Sequence, residues 1–228
     1  AAGAAQAQPT DRPTRIVVGF APGGTTDITA RVVAEGVAPR FGHRAVVETR
    51  TGANGFLAAE AVVRGPNDGS SVLLCPMGPM TISPEMPGMH IPIDVGQDLV
   101  PVANVARSSY VVVTGASSPY RTLQDLIAAA KARPGELSYG SSGVGGAGHL
   151  GGALLDSMAG IETIHVPYRG GGQLITDILS GKVDFSIATA ATVLPHIEAG
   201  RLRALAVPSP RRSALLPEVP TIAEAANL

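Results

Sequence analysis

Two glycine-rich segments carry the residue types that bind an anion without a charged side chain. Residues 20–27 (FAPGGTTD) and residues 139–149 (YGSSGVGGAGH) each follow an apolar run, and each precedes a helical pattern. Glycine lets the backbone approach a ligand closely, and the first amides of a helix have no partner within the helix. Because the helix dipole favours negative charge at that end, each segment predicts a carboxylate site, although either alone could be an ordinary tight turn.

Side chains in both segments add hydrogen-bonding groups to these amides. Thr25 or Thr26 can cap the helix that follows the first segment, and Asp27 lies in its first turn. Ser141 and Ser142 offer hydroxyl groups in the second segment. Two such loops that face each other across a cleft would bind a molecule with an anionic group at each end.

Residues near the two segments have alternative interpretations. The amides near Gly145 can point at a carboxylate, whereas His149 is either a ligand contact or a polar residue satisfied within the protein. Tyr168 and Arg169 would form a wall of the site, and Arg169 is either a carboxylate clamp or a solvated surface residue. Four methionines would form an adaptable wall or fill the space beneath a long loop: Met77, Met80, Met86 and Met89.

Short apolar strands alternate with helical patterns along the chain. The first part follows the order strand, helix, strand, helix, strand, which is typical of a parallel sheet with helices on its faces. The order restarts near residues 108–118, which predicts two α/β lobes side by side. Strands are expected at 15–20, 45–48, 72–75, 100–105, 110–114, 137–140, 163–166, 183–187 and 202–207. Helices are expected at 28–39, 56–64, 122–133, 147–158, 173–180 and 193–199.

The composition excludes several classes of protein. The 228 residues include 17 lysines and arginines against 18 aspartates and glutamates, so the net charge of −1 does not favour nucleic acid or an acidic membrane surface as a partner. Aromatic residues make up 4% and tryptophan is absent, which disfavours stacking sites for sugars or bases. The one cysteine, Cys75, cannot form an intramolecular disulfide and is expected to be a buried core residue.

The beginning of the sequence predicts export. Residues 1–9 (AAGAAQAQP) combine small residues with an Ala-x-Ala-like sequence, which is typical of the end of a secretory signal peptide. The alternative for residues 1–12 is a disordered Ala-rich leader. No apolar run reaches the ~18–20 residues of a membrane-spanning helix.

The motifs of common enzymes are absent or incomplete. Residues 19–26 lack the lysine of a P-loop, and the glycines at 140–145 match a dinucleotide fingerprint only loosely. The sequence GSSG at 140–143 is one residue shorter than the G-x-S-x-G of a serine hydrolase. The five histidines never occur three or four residues apart, so there is no local metal motif. We therefore assign no catalytic residue, metal or cofactor.

Several stretches, in a fixed order over nearly the whole chain, carry a family resemblance. They are residues 18–27 with Ala30 and Arg31, 67–69, 98–103, 138–143 with His149 and Leu150, 165–170, 194–206 and 216–225. In these stretches the chain resembles the extracytoplasmic solute-binding receptors of tripartite tricarboxylate transporters, the Bug/TctC family.

The resemblance implies a type II periplasmic-binding-protein fold, an α/β fold with two lobes, mainly parallel sheets and a ligand cleft. We expect lobe 1 at 13–107 plus 216–228, lobe 2 at 108–215, and hinges near 105–110 and 207–218. In the family, amides, hydroxyls and bridging waters of the two loops bind the ligand. The expected ligand contacts are Phe20, Pro22, Gly23, Gly24, Thr25, Thr26, Asp27, Met77, Tyr139, Ser141, Ser142, Gly143, Val144, Gly145, His149, Tyr168, Ala188 and Thr189.

The function implied by the resemblance is transport binding, not catalysis. A monomeric periplasmic receptor would capture a small organic acid by hinge closure and deliver it to a membrane permease of the tripartite type. The acid could be a tricarboxylate, a dicarboxylate, an acidic amino acid or an aromatic acid. The alternatives are a sensor that docks on a signalling partner and a hydrolase that uses Ser142 or His149.

The chain departs from similar proteins in two places. It has Ala188 and Thr189 where they often carry an Asp-Asn-like pair, which favours a ligand without an amino group. Similar proteins also continue for several dozen residues beyond the segment at 216–225. We therefore expect either a missing C-terminal segment or a reduced first lobe, whose apolar face a partner would cover.

Overall fold

A computed structural model of the chain, which describes residues 13–42 and 44–228, contains two sheets with helices on their faces. The leader expected at residues 1–12 lies outside the described residues. The strands are β1 (Thr14–Val18), β2 (Ala45–Thr49), β3 (Ser71–Leu74), β4 (Tyr110–Gly115), β5 (Ser138–Ser141), β6 (Ile164–Pro167), β7 (Phe185–Thr189) and β8 (Leu202–Ala206). The helices are α1 (Thr25–Phe41), α2 (Phe56–Val63), α3 (Val95–Asp98), α4 (Leu123–Ala132), α5 (Ala147–Ala159), α6 (Gly171–Leu179), α7 (Ala190–Glu198) and α8 (Ile222–Ala226).

The first lobe is built on a three-stranded parallel sheet in the order β2-β1-β3. Helices α1 and α2 make the crossovers that parallel neighbours require. Ile16 and Val18 of the central strand are buried against Ala30 and Ala34 of α1. The carboxyl end of β1 therefore leads directly into the first glycine-rich segment and holds it at the edge of the sheet.

The second lobe is built on a five-stranded sheet in the order β6-β5-β7-β4-β8. Strand β5 is parallel to β6 and β7, whereas β4 is antiparallel to β7 and β8. Phe185 and Val112 in the sheet are fully buried with Leu123 and Leu126 of α4. Parallel pairs predominate over the two sheets together, which confirms the expected α/β architecture.

The strand predicted at 100–105 is wrong. These residues pair with no strand of the described part of the chain, and Val100 and Val102 are 86% and 87% exposed. Valine favours a strand only where a neighbouring strand accepts and donates the backbone hydrogen bonds. The stretch instead belongs to the connection between the two lobes, at the place where the first hinge was expected.

The assignment of residues 216–228 to the first lobe is also wrong. Thr221 and Glu224 form a reciprocal capping box that starts α8, and Ala225 is buried in the core of the second lobe beside α4. The Ile222 amide donates to the carbonyl of Val207 (3.0 Å). Within the described residues, the chain therefore stays on the five-stranded sheet after β8, and no crossing occurs at 207–218.

Two glycine-to-alanine substitutions in helices should change stability in opposite directions. A Cβ at Gly152 in α5 would lie 2.1 Å from the ring of Tyr139, so we expect Gly152→Ala to lower the free energy of unfolding by about 1–3 kcal/mol. Gly36 is exposed in α1 with no atom within 4 Å of an added Cβ, so Gly36→Ala should raise it by about 0.5–1 kcal/mol. Urea unfolding measures both values, and an unchanged Gly152→Ala variant would contradict the packing described here.

Candidate functional site

A cavity of about 110 Å³ lies between the two lobes. The lobes contribute strand ends, helix starts and a few apolar side chains to its wall. Within the described residues, no charged side chain lines it. The lining residues are Phe20, Gly24, Thr25, Thr26, Pro76, Ser108, Tyr110, Ser142, Gly148, Gly170, Gly171, Leu174, Ile175, Ile187, Ala188, Thr189 and Thr192.

The N-termini of four helices, α1, α5, α6 and α7, reach this cavity. None of the four has a side-chain cap, and three of them start after a glycine. By contrast, α4 and α8, which start away from the cavity, both carry complete capping boxes. Because first-turn amides have no partner inside their helix, the uncapped ends leave donors of positive partial charge at the cavity.

The lobes are linked by a main-chain hydrogen bond beside the cavity. The amide of Ala21 in the first lobe donates to the carbonyl of Arg169 in the second (3.1 Å). Gly170, the residue before α6, has a φ of +145°, and a Cβ there would lie 2.8 Å from the nitrogen of Ala21. Only glycine allows this approach, so the start of α6 is held directly against the first glycine-rich loop.

Three threonine hydroxyls form a hydrogen-bonded triangle across the cleft. Thr25 of the first lobe bonds to Thr189 and also to Thr192 (2.9 Å), and Thr189 bonds to Thr192 (2.8 Å). Thr189 is the N-cap residue of α7, where a threonine normally accepts from its own helix. Here its hydroxyl bonds to the other two threonines, which leaves the α7 amides uncapped.

A buried serine supports the second glycine-rich loop from behind. Ser141 is 1% exposed, and its hydroxyl donates to the carbonyl of Gly143 (3.1 Å) and accepts from the amide of the same residue (3.2 Å). The Nε2 atom of His165 lies 2.7 Å from the same oxygen. These three contacts occupy the one donor and two acceptor positions of the hydroxyl, so Ser141 shapes the loop and has no position left for a ligand.

Two stacked imidazoles continue this supporting layer. The rings of His149 and His165 are 4.1 Å apart, and Nδ1 of His149 accepts from the amide of Gly145 (3.2 Å). Burial, together with the neighbouring His149, lowers the pKa of His165 to about 4, and burial also lowers the pKa of His149. Both rings are therefore neutral at pH 7, which the acceptor role of His149 requires.

Asp27, expected to be a carboxylate contact, positions the first loop and lines neither of the cavities described here. Its buried carboxylate accepts from Arg31 Nε (3.0 Å) and from the amide of Gly23 (3.0 Å). The hydrogen bond from Arg31 is the largest cause that lowers the pKa of Asp27. An ionised carboxylate repels an anion, and this one also uses the Gly23 amide that was expected to face the ligand.

The structure places the expected contacts in three groups. Seven line the cavity: Phe20, Gly24, Thr25, Thr26, Ser142, Ala188 and Thr189. Gly143 and Tyr168 line a neighbouring cavity, together with Arg169. Nine line neither cavity: Pro22, Gly23, Asp27, Met77, Tyr139, Ser141, Val144, Gly145 and His149.

The residues outside both cavities have simple physical reasons for their positions. Met77 and Val144 are 70% and 44% exposed, whereas Tyr139 is buried and stacks on His165 beneath the loop.

The sequence analysis missed two parts of the cavity wall, the start of α6 and Thr192. The signal for Thr192 was its place three residues after Thr189, which puts both on the first turn of one helix.

Among the residues that the structure describes, no side chains suited to catalysis are assembled at the cavity. Ser142 has no hydrogen-bonded base within the described part of the chain. Burial raises the pKa of Cys75, which is partly buried, to about 11, so it is a neutral thiol at pH 7. Among the described residues, no group of three metal-binding side chains exists, and no helix is long and apolar enough to cross a membrane.

A family model described as "Tripartite tricarboxylate transporter family receptor" matches residues 29–227 of the chain. A relative from Pseudomonas sp. (strain P51), the "UPF0065 protein in tcbD-tcbE intergenic region", is 39% identical over 217 residues. The match covers 95% of this chain but 64% of that relative, so the chain spans less than two thirds of its length.

Solved structures share this fold. The structure of R. palustris Rpa4515 with adipate superimposes with a TM-score of 0.90 and 35% identity, and the match covers 94% of this chain and 72% of that one. The periplasmic binding protein BugD superimposes with a TM-score of 0.83 and 29% identity, over 95% and 72% of the two chains. These similarities confirm the expected periplasmic-binding-protein fold.

The half-buried imidazoles of His149 and His165 predict a pH dependence of stability. Folding lowers the pKa of His165 from 6.5 to about 4, so between these pH values the unfolded chain binds more protons than the folded one. The free energy of unfolding should therefore fall as the pH drops through this window. His165→Gln removes this titration. Between about pH 7.5 and about pH 5, the free energy of unfolding of the variant should fall by about 1 kcal/mol less than that of the wild type, a figure that allows for the partial exposure of His165.

Urea unfolding at the two pH values measures the difference. His90→Gln is the matched control because His90 is exposed and makes no hydrogen bond within the described residues. A His165→Gln variant with the pH dependence of the wild type would show that this ring does not carry the effect.

Proposed function

The chain belongs to the tripartite tricarboxylate transporter receptor family, and from this premise we propose that it is a periplasmic receptor for a small carboxylate. In this proposal, the two lobes close on one carboxylate, and the closed complex presents it to the membrane permease of a tripartite transporter. The periplasmic relative BugD supports the location, and the adipate bound to Rpa4515 supports the ligand class.

The single observation that carries the proposal is the set of uncapped helix N-termini at a cavity without charged lining residues. An anion placed there would accept hydrogen bonds from amides of both lobes and would gain from the dipoles of α1, α5, α6 and α7. Bridging waters can complete these contacts where an amide is too distant. The site therefore needs no arginine or lysine at this end of the ligand.

The apolar part of the wall favours an aliphatic acid. Leu174, Ile175 and Ile187 line the cavity from the second lobe, and Phe20 lines it from the first. A carbon chain can pack against these side chains while its carboxylate faces the helix N-termini. No acidic side chain among the described lining residues would balance an ammonium group, which supports a ligand without an amine.

Ligand capture would work through closure of the lobes. The donors are the amides of Thr25 and Thr26 on one side, and the Ser142 hydroxyl with the amides of Gly171 and Thr192 on the other. A ligand that contacts only one side cannot change the balance between open and closed states, whereas one that contacts both stabilises the closed state. The connection at residues 99–109 would act as a hinge, since its exposed residues pair with no described strand.

Ser142→Ala tests the proposed function. The Ser142 hydroxyl lines the cavity and has no hydrogen-bond partner within the described part of the chain, so it is available to a ligand. We expect wild-type protein to bind adipate in isothermal titration calorimetry. Ser142→Ala should bind it roughly 10-fold more weakly, because a hydrogen bond to an ionised group is lost.

The matched control is Ser180→Ala. Ser180 is exposed after the last turn of α6, where its hydroxyl donates only to the carbonyl of Asp177 (3.2 Å). This variant should bind adipate like the wild type. Conversion of the ligand into a product during the titration would contradict a pure receptor, and equal affinities of wild type and Ser142→Ala would remove Ser142 from the site.

A further inference from the structure

The three threonines that meet across the cleft are bonded directly to one another. Thr25 is the first residue of α1 in the first lobe, whereas Thr189 precedes α7 and Thr192 lies in its first turn, both in the second lobe. Two of the three hydrogen bonds therefore run between the lobes, from Thr25 to each of the other two residues. Because the partners belong to different lobes, these two bonds can form only while the cleft is closed.

The triangle uses every hydrogen that its hydroxyls can donate. A threonine hydroxyl has one hydrogen to donate and two positions that accept. Three oxygens that are all bonded to one another need three hydrogens, so each hydroxyl donates once and accepts once within the triangle. An anion could take a hydrogen bond from one of them only by breaking the triangle. The amides of the helix starts, by contrast, are free to donate.

Glycines bring the helix starts around the triangle into contact. A Cβ on Gly171, the first residue of α6, would lie 3.1 Å from Cγ2 of Thr192 and 3.8 Å from Cα of Gly24. Gly24 is the N-cap residue of α1, and a Cβ there would lie 3.6 Å from the nitrogen of Gly171. A side chain at Gly171 would therefore meet both lobes at once. Its absence lets α1 come close enough to α7 for Thr25 to bond across the cleft.

Thr189 takes part in the triangle instead of capping its own helix. Its backbone has the extended conformation of an N-cap residue, with φ of −68° and ψ of 135°. A threonine in this position normally accepts a hydrogen bond from an amide in the first turn, which stabilises the helix. No such bond is present at the start of α7. The hydroxyl thus acts between the lobes and not within one of them.

We propose that Thr25, Thr189 and Thr192 form a latch, which stabilises the closed state of the receptor without binding the ligand. This inference rests on the proposed function. The apparent affinity of a protein for a ligand is proportional to the population of its binding-competent state. Bonds that exist only in the closed state raise that population by the same factor for every ligand. The latch therefore sets how tightly an acid is held, whereas the cavity wall determines which acid binds.

Valine substitutions test the latch, because valine keeps the branched shape of threonine and lacks the hydroxyl. Isothermal titration calorimetry uses adipate, succinate, hexanoate and butyrate as probes. Thr25→Val removes both bonds between the lobes and should weaken binding about tenfold, since a half-buried hydrogen bond contributes about threefold. The factor should be the same for each acid that binds. Thr189→Val leaves the bond from Thr25 to Thr192 and should weaken binding about threefold.

A double variant separates a latch from direct contacts with the ligand. Once Thr25 is replaced, the hydroxyl of Thr189 has no partner in the other lobe. Thr25→Val combined with Thr189→Val should therefore bind about tenfold more weakly than the wild type, like Thr25→Val alone. Two hydroxyls that each contacted the ligand would instead multiply their effects, to about thirtyfold. Thr25→Ser restores the hydroxyl and should bind within about twofold of the wild type.

The matched control is Thr176→Val. Thr176 is exposed in α6 and lines neither cavity, and its hydroxyl donates to the carbonyl of Gly172 within the same helix (3.3 Å). This variant should bind like the wild type.

The outcomes distinguish failure of the latch from failure of the receptor function. A double variant whose loss is the product of the two single losses, or a Thr25→Val variant with wild-type affinity, would overturn the latch while the receptor function stands. A Thr25→Ser variant as weak as Thr25→Val would likewise show that the hydroxyl is not responsible. Wild-type protein that binds none of the four acids would overturn the proposed function itself, and with it the latch.

Discussion

The rest of the site depends on one constraint, which is that backbone amides without hydrogen-bond partners lie where the two lobes meet. A buried amide without an acceptor costs free energy, so a closed cleft lined by the starts of four helices requires an acceptor within it. An anion satisfies these donors and gains from the helix dipoles at the same time. In the proposed receptor, closure of the lobes and recognition of the ligand would be one event, since the donors come from both sides of the cleft.

The polar residues behind the loops follow from this constraint. Asp27 and Ser141 accept the amides of Gly23 and Gly143, which fixes the shape of each loop without using the first-turn amides of the helices. His149 does the same for Gly145, and its neutral ring is required for that bond. The supporting layer thus holds charged and titratable groups outside the cavity, where they cannot repel a carboxylate.

Much of this arrangement could be predicted from the sequence, because it depends on local order. The succession of strand, glycine-rich loop and helix places Gly24 and Thr25 at a helix start, and this placement does not depend on how the lobes are arranged. The direction of the Asp27 side chain was missed although its partner is local, since Arg31 lies four residues further along the same helix. Ala188 and Thr189 were found through the family resemblance, whereas Thr192 is recognisable only once Thr25 lies opposite. The strand expected at 100–105 failed because strand formation depends on a neighbour that local sequence does not specify.

The central claim is that uncharged donors at the helix N-termini bind one carboxylate of the ligand, and a crystal structure of the protein with adipate tests it most directly. The account predicts one carboxylate group at the starts of α1, α6 and α7, with its oxygens within hydrogen-bonding distance of first-turn amides, threonine hydroxyls or bridging waters, and no arginine or lysine beside it. Adipate bound outside the cleft, or held at both ends by charged side chains, would contradict it.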